Sequence, residues 1–253
     1  MNFYVLTDPH GFYQVMMAAL QNAGFFSDPQ PHKLIICGDC FDRGPDVVEM
    51  QQFLLQELEE GELTLVRGNH EDLFLDFVDV AHGYSHKQYI HNGTYETALQ
   101  LTQWLSPDTQ HISSFASALR ETPFYKTVIP AMRNWYETKN YIFTHGWVPV
   151  KVNNDGSFRF REDWRQASEN DWRSARWING MDAFLTASVP GKTVVCGHRD
   201  ASYGHRKYGR QDGQTRSVDD HSPFFAPGII ALDACTALSG TVNVIVIEDE
   251  ECG

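Results

Sequence analysis

Five times in this chain a short apolar run ends and a metal-donor side chain follows at once, and this pattern restricts the fold more than any other feature. The first three are Phe3-Tyr4-Val5-Leu6 before Thr7-Asp8-Pro9-His10-Gly11, Leu34-Ile35-Ile36-Cys37 before Gly38-Asp39, and Leu63-Thr64-Leu65-Val66 before Arg67-Gly68-Asn69-His70-Glu71. The last two are Tyr141-Ile142-Phe143 before Thr144-His145-Gly146, and Thr193-Val194-Val195-Cys196 before Gly197-His198. In open α/β sheets, ligands gather at the carboxyl ends of strands. Five strands ending in Asp, Asn or His therefore read as one site assembled from distant segments. Oxygen and imidazole donors without thiolate suit manganese, iron or zinc.

Composition narrows the class. At 253 residues, 42% of them hydrophobic, one α/β domain over 1–253 with insertions fits better than two domains. No apolar run approaches the ~20 residues of a membrane span. The N-terminus enters a strand at once, without the basic and apolar regions of a signal peptide, so a cytoplasmic protein is expected. The net charge of −13 repels phosphate backbones, which argues against nucleic-acid binding. The terminal Glu248-Asp249-Glu250-Glu251 reads as a solvated tail. Five cysteines, an odd number, argue against a disulfide framework. Cys37-Gly38-Asp39-Cys40 has redox-motif spacing, but its interior holds a candidate donor. Cys37 and Cys196 read as small strand-end hydrophobes.

Helices are expected over Phe12 to Ala23, closed by Gly24, over Asp46 to Glu60, closed by Gly61, and over Glu71 to Ala81, ending near Gly83. Strand–helix alternation predicts βαβ units in a mixed sheet. Near the end, Gly228 to Asp233 and Val242 to Ile247 predict two strands of a second, antiparallel sheet packed on the first. About 75 residues separate Asn69 from His145 and about 53 separate His145 from His198, more than ordinary connections require. Insertions are expected at about 83–140 and 151–190. Tyr95 to Leu101 and Ser113 to Glu121 look helical, and Ser168-x-x-Asp171 looks like a capping box opening a helix to about Phe184. The insertions hold Trp104, Trp135, Trp164, Trp172 and Trp177, which either bury their rings against the sandwich or wall a pocket.

Asp8-Pro9-His10-Gly11, Gly38-Asp39-Cys40-Phe41-Asp42-Arg43-Gly44, Gly68-Asn69-His70-Glu71, His145-Gly146 and Gly197-His198 together resemble the calcineurin-like metallophosphoesterases. The unbroken Asp39-x-x-Asp42-Arg43-Gly44 and Asn69-His70-Glu71 resemble the phosphoprotein phosphatase branch, in its bacterial and phage form. The resemblance runs from Asp8 to His198 and implies a four-layer α/β/β/α sandwich. It implies that Asp8 and His10 bind a first metal, that Asp39 bridges two, and that Asn69, His145 and His198 bind the second. A bridging hydroxide between ions roughly 3.5–4 Å apart would attack phosphorus. His70 would protonate the leaving alkoxide, Asp42 would orient His70, and Arg43, with Asn69, would grip phosphate. The family uses a second phosphate-gripping arginine; Arg176 is the first choice and Arg173 the alternative.

The chain departs from the pattern at Thr7, Pro9 and the run Arg199-Asp200. Asp200 could offer an oxygen to a metal or belong to a loop, and Arg199 could contact phosphate. His82, His86, His91 and His205 read as solvated or loop residues. The glycines flanking the donors read as turn positions. The expected function is a metal-dependent phosphomonoesterase of the serine/threonine protein phosphatase type, with manganese first and iron or zinc as alternatives. Its partner would be a phosphopeptide, phosphoprotein or small phosphoester. Symmetrical dinucleoside tetraphosphate hydrolysis, phosphodiester hydrolysis and a catalytically idle metal-binding scaffold remain open beside it.

Overall fold

The computed structural model describes residues 1–79, 87–105, 112–209 and 220–252. The strands, in chain order, are β1 (Asn2–Leu6), β2 (His32–Cys37), β3 (Leu63–Val66), β4 (Tyr136–Glu137), β5 (Tyr141–Phe143), β6 (Val150–Val152), β7 (Phe158–Phe160), β8 (Thr193–Cys196), β9 (Phe224–Ala226), β10 (Ile229–Ala231) and β11 (Val244–Glu248). Among the described residues, β11-β1-β2-β3 form one sheet and β4-β5-β8-β10-β9 a second, while β6 and β7 make a separate hairpin. β1, β2 and β3 run parallel, as do β5, β8 and β10; the first sheet carries one antiparallel edge strand, β11, and the second carries two, β4 and β9.

Side-chain alternation on the strands explains the layering. Phe3, Val5, Ile35 and Cys37 point inward to meet Phe143, Val195 and Leu232 of the second sheet. Tyr4, Leu6, Leu34 and Ile36 point the other way. They pack beneath helices α1 (Tyr13–Ala23), α2 (Val47–Glu60) and α3 (Asn69–Asp79), and beneath α4 (Lys87–Asn92), α5 (Thr94–Thr102) and α6 (Ile112–Arg120). A π-helical turn over Phe124–Val128 runs into α7 (Ile129–Ala131). Ile142, Val194, Cys196 and Ile229 face the opposite outer layer, under α8 (Glu169–Ala175), α9 (Gly180–Ala183) and α10 (Ser202–Tyr208). A short α11 (Thr236–Ser239) follows β10. The result is the expected four-layer α/β/β/α sandwich.

Gly24 and Gly61 close α1 and α2 with φ of 89° and 81°. The capping box at the start of α8 is present: the Ser168 hydroxyl accepts from the Asp171 N–H, and the Asp171 carboxylate accepts from the Ser168 N–H. That helix stops at Ala175, however, and Asn179 caps a second one, so the single helix expected through Phe184 is two. Trp164 and Trp172 are buried; Trp135 stacks on Trp172 at 5.0 Å.

The last two strands belong to different sheets, which corrects the expected antiparallel pair. β10 lies parallel to β8, whereas β11 crosses to pair antiparallel with β1. Burial of Ile247 in the layer between the sheets accounts for that crossing. The acidic end is not a solvated tail either. The buried Asp249 accepts from the Thr138 hydroxyl at 2.7 Å and the Asn140 N–H at 2.8 Å, and Glu251 accepts from Lys33 and Tyr136. His205 is buried on α10 with its Nε2 at 3.0 Å from the Ser222 carbonyl, against the expectation of a solvated residue. His91 is exposed on α4; His82 and His86 lie outside the described residues. The cysteines among residues 1–252 are free, and Cys37, Cys40 and Cys196 are buried.

Candidate metal centre

The donors converge where the carboxyl ends of β1, β2 and β3 meet those of β5 and β8. The loops are laced together by backbone bonds: His10 N–H donates to the Asp39 carbonyl at 2.9 Å, Gly11 N–H to Cys40 at 2.8 Å, and Gly197 N–H to His145 at 2.8 Å. Six of the seven non-glycine residues with positive φ among the described residues belong to the candidate site: Asp8, His10, Asp39, Asp42, Arg43 and His198. Left-handed backbone at non-glycine positions persists only where surroundings enforce it, and it clusters at functional sites. Gly68 and Gly197 are needed for a different reason, because their φ is ordinary. A Cβ at Gly68 would stand 2.1 Å from Asp39 Oδ1, and one at Gly197 only 1.9 Å from Asp8 Oδ2.

Asp39 is common to two donor groups, one with His10 and His70 and one with Asp8 and His145; within each, the donor atoms lie within 4.8 Å of one another. His145 thus groups with Asp8, and it also reaches the other expected donors: Asn69 Oδ1 is 2.8 Å from His145 Nε2 and 2.8 Å from His198 Nδ1. The His198 N–H donates to Asp8. All these residues are buried except His198, which is half-buried.

His70 Nδ1 lies 2.6 Å from Asp42 Oδ2, and Asp42 is 1% exposed. Arg43 is exposed and donates to His70 Nε2 at 3.2 Å and to His10 Nε2 at 3.0 Å. A guanidinium can only donate, so both Nε2 atoms accept here and His70 gives its Nδ1 proton to Asp42.

Several supporting residues escaped the sequence reading. Thr94 at the start of α5 donates its hydroxyl to Asp42 Oδ2 at 2.8 Å, and the Thr97 hydroxyl accepts from the Asp42 N–H at 3.0 Å. The buried Glu71 carboxylate accepts from the backbone of Gly68, Asp39 and Cys40 at 2.7, 3.0 and 2.9 Å, clamping two donor loops. Asp233, just beyond β10, lies close enough to raise the Asp8 pKa. It sits after the apolar run Ile229-Ile230-Ala231-Leu232, a sixth case of the strand-end pattern and a signal that was available.

Arg176 is 1% exposed and donates to Asp72 and Glu169, each at 2.8 Å, and to Asn134. Arg173 pairs with Asp76 on the surface. Neither makes a hydrogen bond or ion pair to the convergent donors in the described contacts. The Asp200 carboxylate accepts from the Ser202 N–H and hydroxyl and faces His221 Nδ1 at 3.0 Å, as a helix-start loop residue does. Arg199 is exposed over the Tyr203 ring.

The donor set fits metal ions. His10 and His145 direct Nδ1 at the carbonyls of Phe41 and Cys37, both at 2.9 Å, which fixes Nδ1 as the protonated nitrogen and turns the Nε2 lone pair inward. The His145 lone pair then faces the Asn69 carbonyl oxygen, an acceptor against an acceptor that a cation would reconcile. Burial, followed by the neighbouring histidines, lowers the pKa of His10 and of His145 well below the ordinary value, so both imidazoles are neutral, the form that could bind a metal. Burial, with His70 next, lowers His198 to about 4. Burial, and then a neighbouring carboxylate, Asp233 for Asp8 and Asp8 for Asp39, raise both groups well above the usual carboxylate value, a crowding of acids that metal ions would relieve.

Comparison with known proteins identifies the family. The chain is 41% identical over 73 residues to serine/threonine-protein phosphatase 1 of Salmonella typhimurium, a match spanning 29% of this chain and 31% of the relative. It is 36% identical over 76 residues to an asymmetrical bis(5'-nucleosyl)-tetraphosphatase of Bacillus velezensis, over 28% of this chain and 30% of the relative. The matches thus span about a third of these relatives' lengths. Among solved structures, a cold-active protein tyrosine phosphatase superposes with a TM-score of 0.56 at 14% identity, covering 98% of this chain and 73% of that one, a likeness of fold alone. A family model described as calcineurin-like phosphoesterase matches residues 1–225, and the chain belongs to that family.

Proposed function

We propose that the chain is a metal-dependent phosphoester hydrolase acting chiefly as a phosphomonoesterase on phosphopeptides, phosphoproteins or small phosphoesters. The observation that carries this reading is the buried His70–Asp42 pair at 2.6 Å, set against the Asp39 shared by both donor groups. Asp8, His10 and Asp39 would hold one ion, and Asp39, Asn69, His145 and His198 another. Manganese is the first choice, with iron or zinc accepted by the same donors. Bound ions of this kind lower the pKa of water towards neutrality and draw charge from phosphoryl oxygens.

The chain's own residues do the rest. Arg43 leaves the imidazoles to take a phosphate oxygen, which its planar fork matches. His70 then carries a proton on Nε2 and delivers it to the departing oxygen, while Asp42 holds Nδ1 and steadies the imidazolium charge. Burial of Asp42 keeps this interaction from being screened by water.

The test is hydrolysis of p-nitrophenyl phosphate and bis-p-nitrophenyl phosphate by metal-stripped protein with Mn²⁺ restored, beside Asp39→Asn and His70→Asn. Metal-restored monoester turnover abolished by both substitutions is expected; preference for the diester makes the chain a phosphodiesterase. No turnover of any ester by protein that holds metal would leave a scaffold. A second reading rests on the tetraphosphatase relatives, one of which is 26% identical over 132 residues, 49% of this chain. Diadenosine tetraphosphate split faster than a phosphopeptide would favour it, with paired ADP marking symmetrical cleavage and ATP plus AMP asymmetrical.

A further inference from the structure

The backbone of Trp177 makes a hydrogen bond to His198, which accounts for the place of the residue but not for its ring. Trp177 is 51% exposed, and its ring meets the His198 imidazole edge-on at 5.6 Å with an interplanar angle of 82°. The other exposed Trp and Phe rings among the described residues, Phe26 and Phe225, have no such contact with a donor of the site. An indole left half in water forgoes much of the burial that makes tryptophan a core residue, as Trp147, Trp164 and Trp172 show here.

The segment that presents it is held firmly. Trp177 N–H donates to Ser174 and Ile178 N–H to Ala175. The carbonyls of Ala175, Arg176 and Ile178 close on Gly146 so tightly that a Cβ there would meet them at 2.5, 2.7 and 2.8 Å. Arg176, buried next to Trp177 in its bonds to Asp72, Glu169 and Asn134, pins the same turn. The indole is therefore a fixed surface beside the metal-ligand imidazole, with the exposed Arg43 gathered on the same donor cluster.

We infer that Trp177 is an aromatic platform for the organic part of the substrate, and that the site prefers phosphoesters carrying a planar ring. The inference rests on the phosphoester reading above and adds the class of group next to phosphorus. A ring stacked on a fixed indole gains from area burial and from aromatic contact, and a short alkyl group gains neither. Two sources offer such a ring, a tyrosine side chain and a nucleobase.

The probe avoids turnover and leaving-group effects. Phenylphosphonate and methylphosphonate carry the same anionic head on a bond that is not hydrolysed. Their affinities for the Mn²⁺-supplied protein, measured by calorimetry, are compared in the parent, Trp177→Ala and Trp177→Phe. The parent is expected to prefer the phenyl compound, with that preference falling roughly threefold to tenfold in Trp177→Ala and returning in Trp177→Phe. 4-(Phosphonomethyl)phenylalanine and the 5′-phosphonate analogue of AMP, neither of them hydrolysable, then assign the ring, the natural source being the one whose analogue loses more affinity in Trp177→Ala. A phenyl-to-methyl ratio equal in parent and Trp177→Ala overturns the platform while leaving a phosphoesterase. Trp177-dependent phenyl binding by a protein that hydrolyses no phosphoester supports the platform and overturns the hydrolase reading. Binding of neither phosphonate overturns the platform.

Discussion

Replacing Thr94 by valine tests whether α5, which begins at that residue, has a part in the chemistry. Valine keeps the shape of the side chain and removes its hydroxyl. Asp42 Oδ2 accepts from His70 Nδ1 at 2.6 Å and from Thr94 at 2.8 Å, so Thr94→Val removes one of two donors from a buried carboxylate oxygen. A hydrogen bond to a charged group contributes about 1.5–3 kcal/mol. If Asp42 must hold a protonated His70, the loss falls on the step that needs that charge. At 1.36 kcal/mol per tenfold, kcat drops about 10- to 150-fold. KM should change little, because Thr94 faces Asp42 rather than the space near Arg43. Thr94→Ser retains the hydroxyl and removes a methyl from a fully buried site. It should lose about 1 kcal/mol of stability and little activity. Kinetics on p-nitrophenyl phosphate with Mn²⁺, beside thermal melts of both variants, separate the two effects. Thr94→Val within twofold of the parent, or Thr94→Ser falling equally far, would refute the reasoning.

Three further outcomes are expected. Glu71→Gln leaves one oxygen for three backbone donors and sets an NH₂ against at least one of them, so stability should fall by about 2–4 kcal/mol in urea titration, with Mn²⁺ binding weakened. Asp249 is opposed by burial, but hydrogen bonds from Thr138 and Asn140 outweigh it and hold its carboxyl below the usual value. Its stabilisation is therefore present above the unfolded pKa and lost as pH falls through the folded one. Asp249→Asn should be about 1–2 kcal/mol less stable at pH 7, and the gap should close below about pH 4 in melts across pH. Mn²⁺ at a hundred times its dissociation constant should stabilise metal-stripped protein by about 2.7 kcal/mol, raising Tm by roughly 5–11 °C, an effect that Asp39→Asn largely removes.

What could be read from the sequence and what could not divide along physical lines. The donors were legible because each follows a short β-rich run, and side-chain alternation sends such runs into a core with their ends at one edge. Gly24 and Gly61 marked helix ends because only local backbone geometry decides them. Arg176 was the first choice for a second phosphate-gripping arginine, and nothing local shows that Asp72, 104 positions earlier, pairs with its guanidinium. Thr94 and Thr97 carry no local sign of a partner in Asp42, more than fifty positions back. The paired apolar runs near the end were seen as strands, but which sheet each joins depends on what Ile247 buries against, a non-local matter. The break in the helix after Ala175 was partly readable from Asn179-Gly180, a cap residue followed by glycine.

The left-handed backbone at Asp8, His10, Asp39, Asp42, Arg43 and His198 has a consequence for how the chain changes over generations. Aspartate tolerates that conformation better than most residues, but for histidine and arginine it costs about 1–2 kcal/mol each. At all six positions glycine would relax the backbone, so mutation left to favour folding alone drifts toward glycine. An aspartate, histidine or arginine at these positions holds its side chain in the site at the expense of backbone stability that glycine would return. The same reasoning guides the choice of an inactive variant. Alanine deletes the donor and keeps the strain, whereas glycine deletes both, so a glycine variant at His10 or His198 makes the sturdier silent copy of this protein.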